Sequence, residues 1–201
     1  MVIDSIFLRG VRRKMEGETS RHAHRERAYA MKKHHATRLH YDLRLEWNGV
    51  LLSWALPEVL SCHVGELRRA IEMEDHKSEY LLFEGLHLTG PIMLWDRGTW
   101  EPHPESGDID NGLRKGFLSF TLRGEKLKGD WTLTRTNSAK NTPRPIWTLR
   151  KQADSFVNGY ADKGILKEYA NSVSTGRTME EIVRDWTNPK DSHERQTKFF
   201  E

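Results

Sequence analysis

His40-Tyr41-Asp42-Leu43-Arg44-Leu45-Glu46-Trp47-Asn48-Gly49 is the stretch on which the fold turns. A strand sends successive side chains to opposite faces. His40, Asp42, Arg44 and Glu46 therefore share one face, and Tyr41, Leu43, Leu45 and Trp47 share the other. Asn48-Gly49 then stands between two alternating runs, where both residues accept the positive φ of a tight hairpin turn. Val50 to Leu56 supplies the returning strand, and Pro57 stops it.

Outward from this hairpin, Ile92 to Trp95, Phe117 to Leu122, Trp131 to Arg135 and Ile146 to Leu149 read as further short strands. Arg97-Gly98, Arg123-Gly124, Lys128-Gly129 and Asn141 to Pro145 carry turn chemistry between them. Several short strands at this spacing predict a mainly β chain forming a compact β-barrel. Short flanking helices and a C-terminal helical extension complete the expected fold. Residues 57–67 read as a loop or short helix. Thr178-Met179-Glu180-Glu181 has the form of a capping box, and Met179, Ile182, Val183 and Trp186 follow at helical spacing. That apolar stripe packs either on this same domain or on a partner domain. The expected organisation is a basic arm over 1–27, a barrel domain over 28–155 and a linker-like helical extension over 156–201.

The chain has 201 residues, of which 30% are charged, with a formal net charge of +3 and a single cysteine. No apolar run approaches the roughly 20 residues of a membrane span. One cysteine excludes a disulfide framework and a cysteine zinc site within the chain, and fits a reducing cytoplasm. Arg9, Arg12, Arg13, Lys14, Arg21, Arg25, Arg27, Lys32 and Lys33 load the first 33 residues with base. Such an arm can follow a phosphate backbone, and Arg25, Arg27, Lys32 and Lys33 are its candidate nucleic-acid contacts. An ordinary solvated N-terminus is the plain alternative.

The chemistry follows from the polar faces. His40 and Asp42 can place a nitrogen and an oxygen on one ion, and His34 can close the set from the same strand or the loop feeding it. Two imidazoles and a carboxylate leave coordination positions open for water or substrate, and suit Mn²⁺, Zn²⁺ or Fe²⁺. Arg44, one step further along, can clamp a phosphate oxygen. A second alternating run would place Arg68, Ala70, Glu72, Glu74 and His76 on one face. Arg44 could instead pair with Glu46 or Glu74, and His76 could be a core histidine. A barrel that turned both polar faces inward would have a wet, charged interior, most simply explained as a site.

These residues also carry a family resemblance. The run from Tyr29 through Lys32-Lys33-His34-His35-Ala36-Thr37-Arg38-Leu39-His40 to Glu46 closely resembles the signature of the 3′-phosphoesterase domain of bacterial DNA ligase D. The likeness continues through Gly49 to Pro57, Glu74-Asp75-His76 with Tyr80, Phe83-Glu84-Gly85, Trp95-Asp96-Arg97-Gly98 and Gly124 to Gly129. It covers residues 28–152. The resemblance implies a β-barrel hydrolase of phosphoester bonds that trims 3′ ends, removing a terminal ribonucleoside and then the 3′-phosphate to leave a 3′-hydroxyl. It implies a divalent metal, typically Mn²⁺, with Zn²⁺ as an alternative, held by His34, His40 and Asp42. Arg44, Arg68, His76 and Tyr80 would surround the scissile phosphate, with His76 as transition-state stabiliser or general acid and Glu74 and Asp75 in support. The implied partners are DNA or DNA/RNA 3′ ends and a separate DNA ligase or end-joining factors in DNA repair.

Ser172 to Trp186 also resembles the connector that follows this domain in ligase D. No Lys-x-Asp-Gly motif for an adenylation lysine is present, so the sequence reads as a stand-alone phosphoesterase or a fragment rather than a ligase. Two departures stand out. Glu58 replaces a lysine expected after Pro57, and Leu86-His87-Leu88-Thr89-Gly90-Pro91 is shorter than the glycine-rich segment of relatives. Both bear on the rim that selects substrate. The alternative reading is a non-catalytic nucleic-acid end-binding module of a repair complex; a barrel acting on a small phosphorylated molecule comes third.

Overall fold

A computed structural model describes residues 26–58, 60–136, 143–156 and 170–187, with the side chains of the last helix described through Arg184. The basic arm up to Arg25, part of the Asn141 to Pro145 turn, the Trp186 side chain and the chain from Asn188 lie outside the described residues.

Among the described residues, ten strands form in order: β1 (Arg27–His35), β2 (Leu39–Trp47), β3 (Val50–Leu56), β4 (Leu67–Glu72), β5 (His76–Lys77), β6 (Gly85–His87), β7 (Gly90–Pro102), β8 (Phe117–Gly124), β9 (Lys128–Arg135) and β10 (Ile146–Lys151). Helices α1 (Ile109–Lys115) and α2 (Met179–Thr187) flank them. Eight strands run β1-β2-β3-β4-β10-β9-β8-β7, and β7 pairs back on β1 to close an antiparallel barrel. Closure removes the free edges an open sheet would expose. β5 and β6 are short additions to β3 and β7 on the outside of this ring.

The Asn48-Gly49 turn forms as its residues demand: Trp47 pairs Val50, and φ is 50° at Asn48 and 80° at Gly49. The capping box also forms, with the Thr178 N–H on Glu181 Oε2 at 2.9 Å and the Glu181 N–H on Thr178 Oγ1 at 3.2 Å. Met179 and Ile182 bury in the same apolar cluster as the barrel, so α2 packs on this domain.

That cluster fills the barrel. Tyr41, Leu43 and Leu45 of β2 meet Met31, Trp54, Leu122, Trp131 and Leu149 from around the wall. Trp54 and Trp147 stack edge-on at 5.9 Å, as do Trp100 and Phe120 at 6.0 Å. Burying each such side chain contributes about 1.5–3 kcal/mol. The interior is therefore apolar, and the expected wet interior is not found. The polar face of β2 lies on the outer wall, because both faces cannot be inside and the apolar one gains more from burial.

Two expected turns are also corrected. Arg97-Gly98 lies within the 13-residue β7 rather than at a turn. A Cβ on Gly98 would sit 2.1 Å from the Arg123 carbonyl oxygen, so glycine serves close strand approach here, which a sequence cannot distinguish from a turn. Lys128-Gly129 opens β9, and the turn is residues 125–127. Asp96 fixes that turn: its carboxylate accepts from Tyr29 Oη and from the N–H groups of Lys126 (2.9 Å) and Leu127 (2.8 Å).

One buried charge supports the far wall. Lys151 is fully buried, with its ammonium on the Asp154 carboxylate, on the Gln152 carbonyl at 3.0 Å and on the Asp130 carbonyl at 3.3 Å. Asp154 also accepts from the Asp130 and Phe156 N–H groups. Removing one partner of a buried pair leaves the other charge without compensation. Asp154→Ala is expected to cost about 3–5 kcal/mol, read as a lower urea midpoint.

Candidate metal centre

β1 and β2 pair antiparallel with His34 opposite His40, Lys32 opposite Asp42 and Ala30 opposite Arg44. Residues six apart in sequence thus become cross-strand neighbours on the outer wall. The His34 and His40 rings lie 4.7 Å apart. His34 Nδ1 is 3.7 Å from Asp42 Oδ2, and His40 Nε2 is 3.8 Å from Asp42 Oδ1. These separations are too long for hydrogen bonds. They suit ligands converging on one ion, since two atoms each about 2.1 Å from a metal lie about 3–3.5 Å from one another. Among the described residues, this is the group of three whose ligand atoms come together.

The protonation pattern fits a metal. His40 Nδ1 lies 3.0 Å from the Arg38 carbonyl, which only accepts, so Nδ1 carries the proton and Nε2 presents its lone pair toward Asp42. His34 Nε2 is engaged by Thr89 Oγ1 at 3.0 Å, leaving Nδ1 on the Asp42 side. Burial alone would raise the Asp42 carboxyl, but its contact with His34 and the charges of Arg44 and His40 outweigh that and hold it below its usual value. Asp42 is therefore ionised at neutral pH. Two imidazoles with inward lone pairs and one carboxylate form a donor set for a divalent ion.

Arg44 extends the same face. Its guanidinium is 3.4 Å from Asp42 Oδ2 and only 8% of the residue is exposed. His76 meets it from β5, which pairs Leu51 of β3. His76 Nδ1 lies 2.8 Å from the Glu74 carbonyl, 3.2 Å from Ser53 Oγ and 3.3 Å from Arg44 Nη1. The carbonyl can only accept, and Ser53 gives its own proton to the Leu51 carbonyl. His76 Nδ1–H is thus a donor, and Nε2 is the free nitrogen. Burial and the neighbouring Arg44 push the His76 pKa below its ordinary value, so the ring is neutral near pH 7.

The remaining expected site residues fall in different places. The Arg68 to His76 run is not one strand: β4 ends at Glu72 and β5 begins at His76. Arg68 stands opposite Leu149 on the face of β4 that carries the core residue Ala70, and its guanidinium pairs with Glu66 at 2.6 Å. It is on the other face of the wall from Asp42, and the charges acting on His76 are those of Arg44, Asp42 and Lys32. Glu74 contributes its backbone carbonyl, and Asp75 precedes His76 in the same link. Tyr80 ends a 3-10 turn, Ser78–Tyr80, with its side chain 40% exposed. Arg27 begins β1, seven residues and roughly 23 Å along the strand from His34, over the Trp47 and Trp100 rings. Lys33 alternates to the opposite face from the cluster, across from Tyr41. Arg25 lies outside the described residues.

Lys32 differs most from its expected place as an exposed phosphate contact. It is 4% exposed, and its ammonium donates to the carbonyls of Tyr80 (2.5 Å) and Phe83 (2.8 Å). The segment from His76 to Gly90 thereby crosses the polar face and covers it. Phe83 is followed by Glu84, whose carboxylate accepts from the Leu94 N–H at 2.9 Å, from Ser172 Oγ and from Thr175 Oγ1, and pairs with Arg177 at 3.3 Å. Sequence reasoning missed Glu84 and Thr89 and gave Lys32 a different role. For Lys32 the signal was present, since Lys32-x-His34 places it on the ligand face of β1.

The model of a family described as the DNA Ligase D 3′-phosphoesterase domain matches residues 32–135. The multifunctional non-homologous end joining protein LigD of Pseudomonas aeruginosa is 41% identical over 156 residues, covering 75% of this chain and 18% of that protein. Its namesake from Mycolicibacterium smegmatis is 40% identical over 152 residues, covering 70% and 20%. The end joining DNA repair protein LigD of Mycobacterium tuberculosis is 37% identical over 114 residues, covering 54% and 14%. The chain thus spans at most 20% of the length of these relatives.

Proposed function

This chain belongs to the DNA ligase D 3′-phosphoesterase domain family, and on that premise we propose that it is a divalent-metal-dependent phosphoesterase acting at nucleic-acid 3′ ends. The observation that carries the proposal is the convergence of His34, His40 and Asp42 beside Arg44 and His76 on one covered face. His34, His40 and Asp42 would hold a divalent ion, Mn²⁺ in the first instance, which would supply Lewis-acid polarisation of a phosphoryl oxygen and lower the pKa of a water.

The chain's own residues supply the rest. Arg44 presents a guanidinium on the metal side of the wall and stabilises charge on the phosphoryl oxygens. His76 meets the same phosphate through Nε2. Negative charge on the phosphate favours the protonated ring, and Nε2–H would then either hydrogen-bond and stabilise the phosphoryl oxygens or, as general acid, pass its proton to the leaving oxygen. Tyr80 stands at the exposed edge, where it can contact the terminal nucleotide. Glu74, through its carbonyl, and Asp75 act in support, whereas Arg68, on the other face of the wall, is left out of the phosphate contacts. The substrates are DNA or DNA/RNA ends carrying a 3′-phosphate or a 3′-ribonucleotide, and the biological setting is end joining in the cytoplasm with a DNA ligase as partner.

The test is a divalent-metal screen on labelled duplexes with each 3′ end, read by gel mobility. Conversion to 3′-hydroxyl products that requires metal and is lost in His40→Ala is expected. Tight, salt-sensitive end binding without turnover in any metal would instead identify an end-binding module.

A further inference from the structure

The β6–β7 hairpin closes on the metal face. Gly85 pairs Ile92, Leu86 pairs Pro91 and His87 pairs Gly90, leaving Leu88 and Thr89 at the tip. Leu88 is fully exposed, but Thr89 turns back. Its hydroxyl lies 3.0 Å from His34 Nε2 and 3.0 Å from His87 Nδ1. The hairpin is seated tightly: at Gly90, with φ at 130°, a Cβ would sit 2.2 Å from the His35 carbonyl oxygen. Only glycine permits that approach, and it sets the tip one residue from His34.

The proton directions in this chain of contacts can be assigned. The Thr89 N–H points at His87 Nδ1 at 3.5 Å, so that nitrogen presents a lone pair. The Thr89 hydroxyl then donates to His87 Nδ1, and its oxygen is left to accept. His34 Nε2 must therefore carry the proton it gives to Thr89. His34 Nδ1 is bare, 3.7 Å from the Asp42 carboxylate. The opposite arrangement would put a proton on Nδ1, where Asp42 is too far to accept it.

We propose that Thr89, held by His87 and seated by Gly90, is a positioning residue of the metal centre: it fixes His34 in the tautomer and ring orientation that offer Nδ1 to the ion. The inference rests on the metal-centre reading above. It makes the short hairpin an outer coordination shell rather than only a substrate rim. His40 has the equivalent support from a backbone carbonyl, which no substitution at Arg38 removes, whereas the support of His34 depends on one side chain. Outer-shell partners of ligating histidines typically affect metal affinity by 10–100-fold.

The experiment is a calorimetric titration of Mn²⁺ into the full chain, with Thr89→Val, Thr89→Ser and His34→Ala measured alongside and thermal melts run on each. Thr89 is exposed, so the two Thr89 variants are expected to melt with the wild type. Thr89→Val is expected to weaken Mn²⁺ binding about 10–100-fold, with Thr89→Ser within a few-fold of wild type. Equal affinity for wild type and Thr89→Val, with His34→Ala defective, overturns this inference and leaves the metal centre standing. Loss in Thr89→Ser as large as in Thr89→Val also overturns it, because the hydroxyl would not be the cause. No Mn²⁺ binding by the wild type, or none lost in His34→Ala, overturns the metal centre itself.

Discussion

Asp42→Asn is expected to lower kcat/KM for 3′-phosphate removal by about a thousand-fold or more. Both carboxylate oxygens are committed, one toward each histidine, and Oδ2 also faces Arg44 at 3.4 Å. The amide keeps the shape and loses the charge that attracts the ion. An ion that polarises a phosphoryl oxygen contributes several kcal/mol of transition-state stabilisation, and each 1.36 kcal/mol is tenfold in rate. Arg44 loses its buried counterion at the same time, so a stability loss of about 3–5 kcal/mol is expected in urea unfolding. The pH dependence gives an independent sign. The folded-state pKa of Asp42 lies below its ordinary 3.8, so its stabilisation is complete above that value and is lost as pH falls through the folded-state value. The asparagine variant should lack that part of the acid limb. Retained turnover in the folded variant would remove Asp42 from the mechanism.

Lys32→Met is expected to lower kcat by about 100-fold while metal affinity stays within a few-fold of wild type. Methionine keeps length and apolar volume but releases the Tyr80 and Phe83 carbonyls, and with them the segment that covers the metal face. Misplacing a positioning element by about 1 Å can cost 100-fold. The buried ammonium also marks itself in stability. Burial, followed by the charge of Arg44, lowers the Lys32 pKa from 10.5 to about 7, although Asp42 and Glu84 act the other way. Between those values the unfolded chain holds a proton that the folded chain does not. Its contribution therefore makes stability rise with pH across that window. The difference in unfolding free energy between wild type and Lys32→Met should change between pH 7 and pH 9.5 in that direction. A pH-independent difference would show that Lys32 is not desolvated as the fold requires.

The barrel was legible where local chemistry has one meaning. Asn48-Gly49 between alternating runs forms the expected turn, and Thr178 with Glu181 forms the expected cap. It was misread where one residue type serves two purposes. Gly98 is conformationally permissive at a turn and also small enough for close strand approach, and only the pairing partner tells which. Alternation assigns faces but not which face is inside, so it leaves open whether the polar face of β2 turns inward; the apolar core shows that it does not. The same limit broke the Arg68 to His76 run, because alternation continues in sequence while the chain leaves the sheet after Glu72.

The candidate ligands were legible as residue types, but not their strand: the pattern offers His34 from the strand of His40 or the loop feeding it, whereas the structure places it on the neighbouring strand β1, opposite His40. What covers them was not. The segment from His76 to Gly90 has little periodicity, and its placement depends on Lys32, Glu84 and Thr89 reaching partners 48 to 93 residues away. Those contacts decide the geometry around the phosphate, and beyond the place of Lys32 on the ligand face of β1 no local signal encodes them.

The most direct measurement is anomalous diffraction from crystals of this protein soaked in Mn²⁺. One strong peak is expected about 2.0–2.3 Å from His34 Nδ1, His40 Nε2 and an Asp42 carboxylate oxygen, with Arg44 and His76 on its open side. A peak held by other residues, or none on this face at Mn²⁺ concentrations that support turnover, would contradict it.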